Sequence, residues 1–248
     1  MSFIDTIKTR AKSNKKTIVL PETMDRRIME ATEKILKEDL ANIILIGKEE
    51  EIEEKAKGFD INKATIINPF TSPLTDELIE KLVEIRQNKG LTHEEAKKLL
   101  LEDYMYYACM LVKTGRADGV VSGACHSTAN TLRPALQIIK TKPGTMLVSA
   151  FFLMVVPNCN YGEQGTFIFA DSGLNEEPDA EKLSEIAISS SKSFEQLVGE
   201  EPKVAMLSYS TYGSAHSAST EKVIEATKLL KAKVPNLIAD GELQLDAA

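Results

Sequence analysis

The residues best suited to chemistry lie in the stretch 120–137, where a short apolar run gives way to a segment rich in hydroxyl groups. Gly123 follows the apolar run, and four hydrogen-bonding side chains then stand where a helix is predicted to begin: Ser127, Thr128, Asn130 and Thr131. The first amide groups of a helix lack intrahelical partners and lie at the positive end of its dipole. The stretch therefore predicts a strand–loop–helix corner that binds an oxyanion.

Arg133 adds a guanidinium group to the same corner. A guanidinium can bind a phosphate or carboxylate through two parallel hydrogen bonds. The alternative interpretation is that the hydroxyl groups only cap the helix, which requires no ligand. Because the stretch contains neither a Walker A loop nor a GxGxxG fingerprint, the residues leave both interpretations open.

A second loop of the same type occupies residues 208–215, directly after a predicted strand at 203–207. Its candidate ligand-binding residues are Thr211, Gly213 and Ser214. Ligands of open α/β sheets bind beyond the carboxyl ends of the strands. We therefore expect the two loops to form facing walls of one cleft.

Four other polar residues allow a functional and a structural interpretation. Arg86 stands near the end of a predicted helix at 72–89, where a positive charge also complements the helix dipole. His126 and His216, one in each loop, suit a ligand contact or a structural hydrogen bond. Asp171 follows a predicted strand and suits either substrate binding or bracing of its own loop.

The order of predicted elements in the first half of the chain is typical of a layered α/β sheet. Strands are predicted at 17–20, 42–47, 64–67 and 118–121, with helices after Asp25 and at 49–57. The continuous apolar run at 42–47 favours a parallel strand covered on both faces. A capping box formed by Thr92 and Glu95 predicts a long helix that continues to about residue 114.

The second half changes character after the turn-rich residues 141–144. An almost wholly apolar stretch at 146–156 predicts a buried strand that forms a hairpin with 166–171. Helices at 178–197 and 221–233, a buried strand at 203–207 and a strand at 237–240 complete the pattern. We predict two α/β domains, residues 1–144 and residues 145–248, the second of them incomplete.

Composition excludes several classes of protein. The formal net charge of −7 on 248 residues supplies no basic stripe for nucleic acid. The longest apolar run, 146–157, is shorter than the about 20 residues that a membrane helix requires. No secretory signal is visible, so a cytoplasmic location is expected. Three cysteines without metal-ligand spacing, Cys109, Cys125 and Cys159, indicate reduced thiols and no metal site.

Several motifs together resemble the phosphate acetyltransferases, or phosphotransacetylases, of the phosphate acetyl/butyryltransferase family. The matching segments, taken in order along the chain, are residues 19–22 with 25–27, Arg86 with 89–90, 121–123 with 126–128 and 131–134, 169–171, 206–211 with 213–215, and 240–244 with 246–248. The Ser-Gly-Ala-x-His-Ser-Thr and Asp-Gly-Glu-Leu-Gln blocks carry the greatest specificity. Any one block alone would be a weak signal.

The resemblance implies reversible acetyl transfer between acetyl phosphate and coenzyme A by direct thiolate attack. Coenzyme A or acetyl-CoA, acetyl phosphate and inorganic phosphate are then substrates, and no metal or redox cofactor takes part. It also implies a homodimer with a two-domain, three-layer α/β fold similar to isocitrate and isopropylmalate dehydrogenases, and an active site in the interdomain cleft. Ser127, Thr131 and Arg133 fall at the phosphate wall, with Arg133 stabilising charge, and Arg86 falls at a position linked to coenzyme A.

The chain departs from the family pattern at its C-terminal end. Family members continue beyond the position of Ala248 into a segment with a Ser-Arg pair and an Asp that deprotonates the coenzyme A thiol. We therefore expect little activity from these 248 residues alone, because thiolate formation would lack its base.

Other functions remain as alternatives. A phosphate butyryltransferase would share the chemistry and differ in its acyl pocket, and a non-catalytic module would bind phosphate or coenzyme A without turnover. A dehydrogenase of similar fold is disfavoured because no nicotinamide fingerprint is present. A covalent acyl-cysteine on Cys125 or Cys159 is disfavoured because direct transfer requires none.

Overall fold

In the computed structural model, which describes residues 3–248, the chain forms two units, residues 4–140 and residues 141–248. The first two residues of the predicted first domain, Met1 and Ser2, lie outside the described residues. Each unit combines strands and helices, so the α/β class expected from the sequence is confirmed.

The first unit carries a four-stranded parallel sheet of order β3-β2-β1-β4. Its elements are α1 (Phe3–Ser13), β1 (Thr17–Leu20), α2 (Arg26–Lys37), β2 (Asn42–Ile46), α3 (Glu49–Lys55), β3 (Thr65–Ile67), α4 (Leu74–Arg86), α5 (His93–Glu102), α6 (Tyr104–Lys113), β4 (Gly119–Val120) and α7 (Thr128–Pro134). A 3-10 turn (Gln87–Lys89) follows α4, and a π-helical turn (Ala135–Ile139) follows α7.

Strand β2 shows why this sheet has helices on both faces. Successive side chains of a strand point to opposite faces. Ile43 and Leu45 pack in one buried cluster with Met29 of α2 and Ile52 of α3. Ile44 and Ile46 pack in another, together with side chains of α4, α5 and α6: Leu78, Leu100 and Tyr107. The three-layer arrangement expected from the sequence is therefore present in this unit.

The predicted long helix after Thr92 is wrong in its length. The capping box of Thr92 and Glu95 is present, but the helix ends at Glu102 and a second helix begins at Tyr104. Asp103 between them is extended, with φ −126° and ψ 98°, and its carboxylate accepts the Met105 amide at 2.9 Å. An aspartate that caps its own downstream amide competes with helix continuation, which explains the break.

The second unit contains β5 (Phe151–Val155), β6 (Thr166–Ala170), α8 (Ala180–Val198), β7 (Lys203–Leu207), α9 (Ala218–Lys233) and β8 (Ile238–Leu243). Strands β5 and β6 are antiparallel, which confirms the predicted hairpin, and Phe152 lies opposite Phe169. Strands β7 and β8 are parallel. Met206 of β7 packs in a buried cluster with Val223 and Leu230 of α9.

Two strands predicted to be buried are largely exposed. The strand predicted at 146–156 is limited to β5, where the Phe152 side chain is 62% exposed. In β7, Leu207 is 47% exposed. Each strand belongs to a sheet of two strands, so an uninterrupted apolar run does not have the neighbours that would cover both of its faces within residues 3–248.

Candidate active site

The first polar corner is organised by the register between β1 and β4. Val19 of β1 is the partner of Val120 of β4 in this parallel pair. Glu22 and Gly123 each lie three residues further along the chain than these two valines, just beyond the ends of their strands. Because parallel strands end at the same edge of a sheet, this register places the Glu22 side chain beside the loop that follows β4.

Glu22 binds the backbone amides of the loop that precedes the predicted helix start. Its Oε2 accepts the amides of Gly123 and Ala124, both at 2.8 Å. Its Oε1 accepts the amides of Cys125 at 2.7 Å and His126 at 2.8 Å. The residue is 0% exposed. Four consecutive amides of the predicted oxyanion loop therefore bind the protein's own carboxylate.

Two local features make this arrangement possible. Gly123 has φ +119°, a conformation that L side chains rarely adopt, and the successive amides converge on one point from there. The His126 ring adds a fifth donor, with Nδ1 at 2.8 Å from Glu22 Oε1. Because an ionised carboxylate only accepts hydrogen bonds, Nδ1 carries the proton. The structural interpretation of His126 is therefore the one observed.

The protonation of Glu22 reflects these contacts. Burial raises the pKa of a carboxyl group, but hydrogen bonds from Cys125, His126 and Ala124 outweigh burial and lower the pKa of Glu22 to about 2. The group is consequently a carboxylate at neutral pH.

A second contact fixes the carbonyl side of the same loop. Arg27 Nη2 donates to the Ala124 carbonyl at 2.9 Å and to Asp25 Oδ2 at 2.6 Å. Asp25 also caps α2 by accepting the Arg27 amide at 2.8 Å. Glu22, between β1 and α2, therefore holds the loop at its amides, and Arg27, in the first turn of α2, holds it at a carbonyl.

The cysteines do not have the character of activated nucleophiles. Loss of hydration and the nearby carboxylates of Asp25 and Glu22 raise the pKa of the Cys125 thiol. Burial raises the pKa of the Cys109 thiol to about 12. Cys159 is free and partly buried, with Sγ 4.0 Å from the Tyr161 carbonyl. A raised thiol pKa reduces the fraction of reactive thiolate, so nothing at Cys125 favours a covalent intermediate.

Helix α7 begins where the sequence predicted. Ser127 is its N-cap: Oγ accepts the Asn130 amide at 3.3 Å, and its carbonyl accepts the Thr131 amide at 3.0 Å. Within residues 3–248, the exposed side chains of Thr128 and Asn130 form no hydrogen bond. Buried Oγ1 of Thr131 and Oγ of Ser122 also have no hydrogen-bond partner in this part of the chain. Ser127 thus caps the helix, while the other polar groups remain available.

The charges of Arg133 and Arg86 both influence the phenol of Tyr106. Arg133 is exposed in the last turn of α7, and Arg86 is the half-buried last residue of α4. Tyr106 of α6 is 7% exposed and donates to Gln137 Oε1 at 3.1 Å. Burial and the charge of Asp103 raise the pKa of the Tyr106 phenol, and the charges of both arginines oppose this only in part.

Neither arginine is neutralised by an acidic partner. Among the residues described, 3–248, neither Arg133 nor Arg86 forms an ion pair or a hydrogen bond through its side chain. An unpaired guanidinium keeps its full capacity for bidentate binding of phosphate or carboxylate. Both guanidinium groups are therefore able to bind an anionic ligand.

The second loop is organised by another buried glutamate. Met206 pairs with Gly241 and Leu207 with Leu243, so Glu242 is the additional residue of a bulge in β8. Its Oε1 accepts the Gly213 amide at 2.6 Å and the Ser210 hydroxyl at 3.0 Å, and the residue is 3% exposed. These amide and hydroxyl contacts lower the pKa of Glu242, and the charge of His216 acts in the same direction.

The three candidate residues of this loop make contacts inside the second unit. Thr211 Oγ1 accepts the Gln244 amide at 3.0 Å and donates to Gln244 Oε1 at 3.3 Å. Ser214 Oγ accepts the Thr211 amide at 3.0 Å. Gly213 binds Glu242, with φ +80° at its α-carbon. Within this unit the three residues form one hydrogen-bonded cluster.

Asp171 braces its own loop. Its carboxylate accepts the Leu174 amide at 2.7 Å, Asn175 Nδ2 at 2.7 Å and the Ser149 hydroxyl at 2.9 Å. Of the two interpretations left open by the sequence, bracing is the one observed.

Across residues 3–248, no group of three or more His, Cys, Asp or Glu side chains is arranged to hold a metal ion. None of the helices in that range is both long enough and apolar enough to span a membrane.

Known proteins with similar sequences were found over the whole of this chain. The family described as "Phosphate acetyl/butaryl transferase" matches residues 2–248. A phosphate acetyltransferase of Acetivibrio thermocellus is 57% identical over 248 residues, which are 100% of this chain and 74% of the relative. A phosphate acetyltransferase of Thermoanaerobacterium thermosaccharolyticum is 50% identical, over 100% of this chain and 75% of the relative.

Two solved structures share the fold. A EutD phosphotransacetylase from Staphylococcus aureus superposes with a TM-score of 0.86 at 43% identity, over 98% of this chain and 73% of that one. A phosphotransacetylase from Streptococcus pyogenes gives a TM-score of 0.89 at 41% identity, over 99% and 73%. This chain thus spans 74% of the length of the Acetivibrio thermocellus relative and 73% of the length of the Staphylococcus aureus structure. It belongs to the phosphate acetyl/butaryl transferase family.

Proposed function

We propose that this chain is an acyltransferase that moves an acetyl group reversibly between acetyl phosphate and coenzyme A. It would act in the cytoplasm as a homodimer and use coenzyme A as a substrate, without a metal or redox cofactor. The names of the relatives support this substrate pair. The observation that carries the proposal is that Arg86, at the end of α4, and Arg133, in the last turn of α7, both lack an ion pair or side-chain hydrogen bond within residues 3–248.

The proposed reaction is a direct displacement. The coenzyme A thiolate attacks the carbonyl carbon of acetyl phosphate, and negative charge develops first on the carbonyl oxygen. The C–S bond forms, the C–O bond to phosphate breaks, and the phosphate oxygen leaves with the electron pair. Arg133 would bind the phosphate oxygens and stabilise charge where it accumulates.

The hydroxyl and amide groups of α7 would orient the phosphate. Thr131 Oγ1 has a proton to donate and no partner within residues 3–248, so a phosphate oxygen would satisfy it. Thr128 and Asn130 would add exposed donors, and Ser127 would hold the helix start. Because Glu22 occupies the loop amides, the guanidinium of Arg133 has to supply the positive charge at this corner.

The residues of the second loop complete the proposed binding set. The Ser214 residue is exposed; its hydroxyl accepts the Thr211 amide and lies 3.4 Å from the Ser210 hydroxyl, a long contact that a substrate oxygen could replace. We propose that Thr211, Gly213 and Ser214 contact the acyl phosphate or coenzyme A through this hydroxyl and the loop backbone.

Turnover of acyl phosphates tests the proposal directly. Acetyl-CoA formation and phosphate release would be measured with the 248-residue chain and with a chimera that continues it with the C-terminal quarter of the Acetivibrio thermocellus relative. We propose that the thiol-deprotonating base lies in that quarter, so we expect slow turnover by the chain and at least tenfold faster turnover by the chimera.

The same assay separates the alternatives. Acetyl phosphate should be used faster than butyryl phosphate, and the reverse order would make the chain a butyryltransferase. Calorimetric binding of acetyl phosphate or coenzyme A with no turnover by either protein would favour a non-catalytic module. Full turnover by the 248-residue chain would contradict the proposed place of the base.

Replacing Arg86 by alanine is expected to raise the KM for coenzyme A about tenfold, the effect of losing one charge-assisted contact. The kcat should stay within about threefold, because the contact would exist in both ground state and transition state. Arg116→Ala is the matched control, since its guanidinium is already paired with Glu77 at 2.7 Å. An unchanged KM for coenzyme A in Arg86→Ala would remove this residue from the site.

A further inference from the structure

We propose that Glu22 is a positioning residue for the acyl transfer: by binding the amides of residues 123–126, it fixes the start of helix α7 and with it Thr131 and Arg133. The inference rests on the proposed function. Glu22 was not among the candidate residues found in the sequence, because its role depends on contacts with residues more than one hundred positions away.

Glu22 has no capacity left for a chemical role. Its Oε2 accepts two amides, and its Oε1 accepts two amides and the His126 ring. A carboxylate offers about four lone-pair sites, and five donors saturate them. Such a group can neither take a proton from the thiol nor bind substrate, and it acts through the backbone that it holds.

The held backbone leads directly into the proposed site. His126, whose amide and ring both donate to Glu22, is followed by the N-cap Ser127. Helix α7 has only seven residues, and a helix this short is not stable without tertiary contacts. Pro134, at its C-terminal end, is buried, and Glu22 holds the backbone that leads into its N-terminal end.

The charge and length of the side chain both matter. In Glu22→Gln one carboxylate oxygen becomes an NH2 group, which would face amide donors instead of accepting from them. In Glu22→Asp the charge remains, but the side chain is shorter by one methylene group. We therefore expect Glu22→Asp to retain more activity than Glu22→Gln. A purely steric role would give the reverse order, because glutamine matches glutamate in size and aspartate does not.

The experiment combines kinetics with hydrogen exchange in the 248-residue chain and in the chimera. Glu22→Gln should lower kcat with acetyl phosphate about a hundredfold, as expected for a displaced catalytic group, and leave the KM for coenzyme A within threefold. The amides of residues 123–126 should lose protection. Glu242→Gln is the matched variant of the second loop: it should lower the amide protection of residues 210–215 and leave the amides of 123–126 protected. Glu30→Gln, exposed on α2, is the control for removal of a charge.

Two outcomes would overturn the inference. One is a folded Glu22→Gln protein that loses protection at 123–126 but keeps its kcat, because the loop would then not position the site. The other is unchanged protection at 123–126. If Glu22→Gln does not fold, Glu22→Asp is judged by the same two criteria.

The outcome for Glu22 is separable from that for the proposed function. Binding of inorganic phosphate, followed as a rise in unfolding temperature, requires no turnover. If the unsubstituted proteins bind phosphate but transfer no acetyl group, the proposed function fails. Loss of phosphate binding and of loop protection in Glu22→Gln would then still support positioning of an anion site by Glu22, and retained phosphate binding would refute it.

Discussion

Replacement of Arg133 by alanine is expected to lower kcat/KM for acetyl phosphate by about 10²–10³, the usual effect of removing a donor aimed at developing transition-state charge. Arg133 is exposed in the last turn of α7 and has no acidic partner within residues 3–248. The loss should appear mainly in kcat, because charge on the carbonyl oxygen and the leaving phosphate is greater in the transition state than in bound substrate.

Two variants make this prediction specific. Arg133→Lys keeps the charge but loses the two-pronged geometry, so it should recover only part of the activity. Arg116→Ala removes an arginine already paired with Glu77 and should leave kcat/KM unchanged. A loss of less than tenfold in Arg133→Ala would remove Arg133 from the role proposed here. The kcat and KM of all three variants would be measured in the chimera and in the 248-residue chain.

The sequence predicted the first sheet well because its strands have simple patterns. The four consecutive apolar residues at 43–46 in β2 are typical of a strand covered on both faces, and the structure shows this arrangement. The same reasoning failed for β5 and β7, since an apolar run does not reveal how many strands will neighbour it. The helix break at Asp103 was missed because an aspartate within an apolar-periodic segment suits either a helix surface or a cap.

The corner at 120–137 was found from its composition, but its internal anion was not. Glu22 and Gly123 are 101 residues apart, and only the pairing of Val19 with Val120 brings them together. A signal was nevertheless present, because each residue stands three positions beyond a paired valine. Prediction of the β1–β4 pair from sequence would therefore have pointed to Glu22.

The second loop repeats this construction with a different local device. Glu242 reaches the amide of Gly213 because a bulge in β8 makes it an additional, unpaired residue. A bulge cannot be located from an apolar pattern, since it changes the pairing and not the composition. In each loop a buried glutamate, Glu22 just beyond β1 or Glu242 within β8, accepts the backbone amide of a glycine of positive φ. The hydroxyl groups that drew attention to these loops are thus held in place by carboxylates.

The second large effect is expected in the stability of the protein in acid. The pKa of Glu22 falls from 4.5 to about 2 on folding, and contacts also lower the pKa values of Glu242 and Asp171. A carboxyl whose pKa is depressed in the folded state stabilises the protein above its unfolded pKa, and this stabilisation is lost as pH falls toward the folded pKa. We therefore expect the free energy of unfolding to fall between about pH 4.5 and pH 2.

The Glu22→Gln variant measures how much of the acid-dependent loss of stability is due to the Glu22 carboxylate. The variant should be less stable than the unsubstituted chain at pH 7 by about 3 kcal/mol, because buried amides lose their acceptors. The free energy of unfolding would be measured by urea titration at successive pH values, followed by circular dichroism. Below pH 4.5 it should fall less steeply with pH in the variant than in the unsubstituted chain. The difference between the two slopes should be at most about 1.4 kcal/mol per pH unit, the contribution of one titrating group. Glu30→Gln should change the slope little, since its exposed pair with Lys34 contributes little to stability. Equal slopes in Glu22→Gln and the unsubstituted chain would mean that protonation of Glu22 is not linked to unfolding, and the loop would then require another source of order.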